Sequence, residues 1–156
     1  MRCVCWMSKN REILLRAAFV AYIGFMLWLL FGQRFDGGFA WEWAQLRERI
    51  NLKPLHTIKS YLWVLENDRS QTAMRHAAIN LAGNVVMFLP LGYFFAVLFQ
   101  PMRKFWRMLL YTVLLICAVE CLQLLTMLGS CDVDDLLLNL VGVIFGWCIG
   151  MAIRKK

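Results

Sequence analysis

Four apolar stretches, at about 13–32, 77–99, 108–128 and 136–153, restrict this chain more than any other feature, because each is long enough to cross about 30 Å of hydrocarbon. Inside a bilayer every backbone N–H and C=O has to be satisfied by the protein itself, so spans of this length are helices. The expected fold is therefore all-α, a polytopic membrane protein with four transmembrane helices. With 156 residues, 61% of them hydrophobic, there is room for a single membrane domain over 1–156 and for no second large one.

Basic residues set the expected orientation, since short Lys/Arg-rich loops stay cytoplasmic. Arg2, Lys9, Arg11 and Arg16 precede or open the first span, Arg103, Lys104 and Arg107 follow the second, and Arg154, Lys155 and Lys156 close the chain, whereas the turn 129–133 carries no base. Both termini are expected in the cytoplasm, with the first connection and the acidic turn outside. This distribution accounts for most of the net charge of +7, so nucleic acid is not an expected partner. The first span is read as an uncleaved anchor, because its apolar run is too long for a signal peptide and no Ala-x-Ala site follows. Of the cysteines, Cys3 and Cys5 fall inside, Cys117, Cys121 and Cys148 within spans, and Cys131 outside. None forms a CxxC pair or a metal-ligand spacing, so no metal centre, disulfide framework or cofactor is expected.

The first connection is not a flexible linker, since it holds Trp41, Trp43, Tyr61 and Trp63, residues suited to the headgroup layer. Phe39, Trp43, Leu46 and Ile50 recur at helical spacing up to a break at Pro54, and Ile58, Tyr61, Leu62 and Leu65 mark a second amphipathic piece. Residues 39–66 are expected to lie along the outer surface between the first two spans. Arg47, Arg49, Lys53, Lys59 and Arg69 there are available to anionic headgroups.

Polar side chains inside the spans point to function. His76, Asn80 and Asn84 follow at i, i+4 and i+8 before Pro90, which removes a backbone hydrogen bond and kinks the helix. The third span carries Glu120 and Gln123, and an unpaired charge there costs about 2.5 kcal/mol or more. The fourth span opens with three carboxylates. At about 100° per residue Asp132, Asp135, Asn139, Gly142, Gly146 and Gly150 share an arc of roughly 80°. That face joins polar groups to a glycine stripe for close helix packing. Asp134 projects elsewhere, and its neutralisation is expected to do little. At about 1.5 Å per residue Asn84, Glu120 and Asn139 lie at matching depth, roughly 10–14 Å below the outer boundary, with Asn80, Gln123, Asp135 and Asp132 shallower. The pattern describes a polar cleft open to the outer leaflet. Two readings remain, a ligand-binding cleft and a structural polar network.

These residues also carry a resemblance. Asn80-Leu-Ala-Gly-Asn-Val-Val-Met-Phe-Leu-Pro-Leu-Gly92, Glu120-Cys-Leu-Gln123, the acidic run Asp132 to Gly142, and the upstream Asn51-Leu-Lys-Pro-Leu-His-Thr57 together resemble, in order and spacing, the signature motifs of the VanZ-like family. The resemblance covers about 51–149. Leu55 stands where members commonly have Phe, and Gly129-Ser130-Cys131 where many have an Arg. It implies a small polytopic protein of the bacterial cell membrane, with a founding member associated with low-level resistance to teicoplanin.

Three functions from different classes fit the residues. In the first, a non-catalytic module binds or shields an amphiphile, such as a membrane lipid headgroup, a lipoglycopeptide or a lipid-linked cell-wall precursor. In the second, an enzyme acts on a lipid-linked phosphate, with Glu120 or His76 as base and Asp132 and Asp135 as weak candidates for holding a divalent cation. In the third, the chain is a structural subunit of a larger assembly. Phosphate loops, nucleophile elbows and zinc-protease motifs are absent from the sequence.

Overall fold

The structure, a computed structural model, describes residues 8–32 and 49–155. Its element order is α1 (Lys9–Phe31), β1 (Ile50–Asn51), α2 (His56–Asn67), α3 (Gln71–Leu98), a 3-10 turn (Gln100–Arg103), α4 (Phe105–Leu125), β2 (Cys131–Asp132) and α5 (Val133–Lys155). Four helices, Lys9–Phe31, Gln71–Leu98, Phe105–Leu125 and Val133–Arg154, are long and apolar enough to span a membrane. Their outward surfaces agree: Val20, Trp28, Trp106, Leu114 and Phe145 are each more than half exposed, an apolar belt that water would not tolerate. The chain is a multi-pass membrane protein. The helix proposed around Phe39, Trp43 and Leu46 lies outside the described residues.

Capping and turn chemistry set the helix ends. Ser8 and Ser70 accept from the backbone N–H of Arg11 and Ala73, opening α1 and α3. Helix α3 thus begins six residues before its apolar window, since hydrogen bonding and not apolarity decides where a helix starts. Helix α4 stops at Leu125, earlier than its apolar run, because Met127 takes a left-handed conformation (φ 55°). The Leu128 and Gly129 N–H groups then both turn back to the Gln123 carbonyl. Helix α3 continues through Pro90. The Tyr22 hydroxyl of α1 donates to the Met87 carbonyl beside that point at 2.8 Å.

The most extensive packing is between α3 and α5, and glycine makes it. A Cβ added at Gly142 would stand 2.1 Å from the Val85 carbonyl oxygen, at Gly146 1.8 Å from that of Leu89, and at Gly92 1.9 Å from that of Val143. Gly150 abuts Ala96 and Tyr93. The backbones therefore touch without side chains between them. Phe88, Leu91, Met108, Ile116 and Val143 fill the core beside this seam. Helix α1 is peripheral, with Met26 its one buried residue. It is held by Phe19 against Phe94 (ring centroids 5.3 Å apart) and by Gln123, whose amide donates to the Leu30 carbonyl at 3.1 Å. At the 3-10 turn, Trp147 Nε1 donates to the Met102 carbonyl at 2.8 Å. There the Arg103 guanidinium, desolvated and beside Arg154, is more acidic than usual.

The seam yields a sharp contrast between glycines. Gly146→Leu should destabilise the protein by about 3 kcal/mol or more through overpacking. Gly24→Ala, where a Cβ meets nothing within 4 Å, should be neutral or stabilising by up to about 1 kcal/mol. Thermal unfolding of the two variants in one detergent makes the comparison, and equal behaviour would place α5 away from α3.

Candidate functional site

The acidic run builds two things at once, a clamp and a cavity wall. Asp132 Oδ1 accepts from the Asp134 N–H at 2.9 Å and so caps α5. Asp132 is also reached by Thr57 Oγ1 at 2.6 Å and by the Asn51 amide at 3.2 Å. Beside it β1 and β2 form a two-residue parallel pair, Ile50 opposite Cys131 and Asn51 opposite Asp132, a small addition to the all-α fold. Arg49 extends the join, donating from Nη1 to the Met127 carbonyl at 2.9 Å and, more weakly, to that of Gly129. Of the five bases considered for headgroup attraction, Arg49 is instead a bracket on the turn after α4.

Asp134 corrects the expectation that it is dispensable. It does point away from the glycine face, but it is fully buried and accepts from the N–H groups of Leu55 (2.5 Å), Thr57 (2.7 Å) and Ile58 (3.1 Å). Leu55, at φ 63°, opens α2 with no side-chain cap of its own. A carboxylate from α5 thus supplies in trans the cap that α2 lacks, where the helix dipole also favours negative charge. Held this way, α2 turns Ile58, Tyr61, Val64 and Leu65 inward to partial burial, and Leu62 joins Trp63 on the exposed side.

Beneath α2 lies a cavity of about 620 Å³, within the range of small-molecule sites. Asn80 and Asn84 of α3, Glu120 and Gln123 of α4, Asp132 of β2, and Asp135 and Asn139 of α5 all line it. Thr57 and Tyr61 of α2 join them, as do Tyr22 of α1 and Ser130, which spacing alone did not single out. Asn84 donates to Asp135 Oδ1 at 2.6 Å across the α3–α5 seam. Glu120, Gln123 and Asn139 are buried, while Asn80 is exposed and donates to the carbonyl of His76 at 2.9 Å. His76 is not brought to Glu120; it lines a separate hollow with Gln71, Thr72, Arg75 and Ile79.

Burial and then Asp135 and Asp132 raise the pKa of the Tyr61 phenol. Burial and then Glu120 raise that of the Cys131 thiol, with smaller contributions from Cys121, Cys117 and Asp132. No group of three or more His, Cys, Asp or Glu side chains among the described residues has the geometry to hold a metal ion. Asp132, one of the two weak metal candidates, is occupied by Asn51, Thr57 and the Asp134 N–H.

Fold and site together define a multi-pass helical membrane protein with a polar cavity at one end of its bundle. Residues 19–154 match the family model described as VanZ/LLP1. That covers nearly the whole chain, and the protein belongs to this family. No curated protein and no solved structure matches it.

Asp134→Asn tests the clamp. One amide oxygen cannot satisfy three donors, and its NH2 group opposes the remaining N–H, so a loss of about 1–3 kcal/mol is expected. Hydrogen exchange should accelerate at Leu55, Thr57 and Ile58 first. Unchanged protection at those amides would mean that α2 is held by other contacts.

Proposed function

We propose that this protein sits in the bacterial plasma membrane with both termini cytoplasmic, and that its cavity faces the outer leaflet. There it acts as a non-catalytic module that binds or shields an amphiphile at the cell surface, and through this contributes to glycopeptide resistance of the teicoplanin type. One observation carries the reading: eight polar side chains from three spans and the turn before α5 line one cavity of about 620 Å³, in a segment of chain where each polar group is expensive to keep. The orientation follows the bases, which gather at the Lys9 end of α1, at Arg103 and at Arg154. The alternative of an enzyme acting on a lipid-linked phosphate, with Glu120 or His76 as base, has less support, because Asp132, one of its two cation candidates, is occupied by Asn51, Thr57 and the Asp134 N–H.

Two measurements test this reading. On intact cells a membrane-impermeant maleimide should label Cys131 and spare Cys3 and Cys5. Because the Cys131 pKa is raised, its thiolate is scarce at neutral pH, so labelling should be slower than for a free thiol and should keep rising with pH beyond the usual thiol range. Labelling of the N-terminal pair instead would reverse the orientation. Glu120→Gln keeps shape and removes charge. It should abolish the resistance phenotype while the melting temperature stays within about 2 °C of the parent, the shift of a sub-kcal/mol change. Full activity of that variant, or loss of activity only through misfolding, would return Glu120 to a structural network.

A further inference from the structure

The end of the bundle opposite the cavity carries a charge problem of its own. Arg103 sits in the 3-10 turn between α3 and α4, and the Trp147 indole, donating to the carbonyl of Met102 just before it, pins that turn against α5. The Phe105 and Trp147 rings, 5.8 Å apart at their centroids, add to the same contact. The glycine seam fixes what lies alongside: Gly150 abuts Ala96, so Arg154, one helical turn further along α5, comes level with the start of the 3-10 turn. Two guanidiniums therefore share one corner, and Arg103 is desolvated there with Arg154 beside it. The Arg103 Nε is buried and meets no hydrogen-bond acceptor among the described residues. A guanidinium does not shed its proton to escape such a place, so an anion is the partner that offsets its desolvation and the like charge. The neighbouring sequence brings none. No Asp or Glu occurs from Arg69 to Val119 or after Asp135, and Glu12, the described acid at this end of α1, is held by Arg16 at 2.7 Å. A second feature is apolar. Phe99, Phe105 and Ile153, which flank the two arginines in sequence, are each more than a third exposed, and Trp106 is 76% exposed.

We propose that this corner is a binding site for an anionic phospholipid, with Arg103 and Arg154 gripping the headgroup phosphate and the acyl chains lying along Phe99, Phe105 and Ile153. Guanidinium forks match phosphate oxygens in a way that a lysine ammonium does not, and basic pockets between spans are where such headgroups settle. A free phosphate ion would satisfy the guanidiniums but leave the apolar flank unused, whereas a lipid engages both. Trp106, a residue suited to the headgroup layer, puts the corner at that depth. The site is independent of the cavity and of its ligand, and in the proposed orientation it faces the cytoplasmic leaflet.

The test titrates the full chain, washed free of native lipid in a nonionic detergent at pH 7, with dioleoyl phosphatidylglycerol and with dioleoyl phosphatidylcholine, which share their chains and differ in net headgroup charge. One-to-one adducts are counted by native mass spectrometry. Phosphatidylglycerol should bind at least about tenfold tighter, a difference of about 1.4 kcal/mol. Arg103→Gln should erase most of that preference, while Lys104→Gln, which removes the same charge from an exposed neighbour, should keep most of it. Without added lipid Arg103→Gln should melt at the parent's temperature or higher, because it relieves a like-charge contact, and phosphatidylglycerol should raise the melting temperature of the parent but not of the variant. Equal binding of the two lipids to the parent, or equal losses in Arg103→Gln and Lys104→Gln, would reduce the corner to diffuse basic charge and overturn the site. An Arg103→Gln variant that melts lower than the parent would mean that Arg103 already has its partner within the protein, and would overturn it as well. Displacement of phosphatidylglycerol by equimolar inorganic phosphate would assign the corner to the free ion instead of a lipid.

Discussion

Everything at the polar end of the bundle depends on how closely α3 and α5 approach. Gly142 and Gly146 on one helix and Gly92 on the other leave no Cβ between the backbones, and in a membrane such contact replaces the hydrophobic drive that water supplies elsewhere. The seam also sets the register. With Gly142 against Val85, the first turns of α5 stand beside the middle of α3, which brings Asp135 to Asn84 at 2.6 Å and keeps Asn139 within the same wall. A residue with a Cβ at either glycine would widen that gap and draw the polar face of the cavity away from its opposite side.

Over this frame α2 is held as a roof by hydrogen bonds of unusual economy. Asp132 and Asp134, two residues apart, cap two helices: Asp132 caps its own, α5, and Asp134 caps α2, some eighty positions earlier in the chain. The Arg49 bracket and the two-residue parallel pair fasten the approach to α2 onto the turn after α4. The Tyr61 and Thr57 side chains are thereby fixed above the acids, so roof and wall of the cavity share their supports. The acidic run divides its labour by helix face, with Asp134 directed to the roof and Asp135 to the cavity.

Much of this was legible in the sequence, for identifiable reasons. Span existence followed from length and apolarity, and the shared face of Asp135, Asn139 and the three glycines from helical periodicity, because both are local properties. Non-local partnerships were not legible. Periodicity correctly turned Asp134 off the glycine face but said nothing of what waited there, since its partners are backbone N–H groups far away in sequence. The trace available was the segment Asn51 to Thr57, whose two polar ends both meet Asp132. Helix ends were not legible in the apolar runs for a related reason: Ser70 capping and the left-handed Met127 obey hydrogen bonding, while the apolar windows obey only the bilayer.

The central claim is that the space beneath α2 is a ligand site and not a gap in a polar network. An experimental density map of the protein extracted from its native membrane into a polymer-bounded lipid disc, without detergent exchange, addresses it directly. The account predicts continuous, elongated non-protein density whose blunt end lies within hydrogen-bonding distance of the polar side chains that line the cavity. A cavity holding only separate water peaks that bridge Asn139, Glu120 and Asp135, or one closed by α1 moving onto α3, would contradict it.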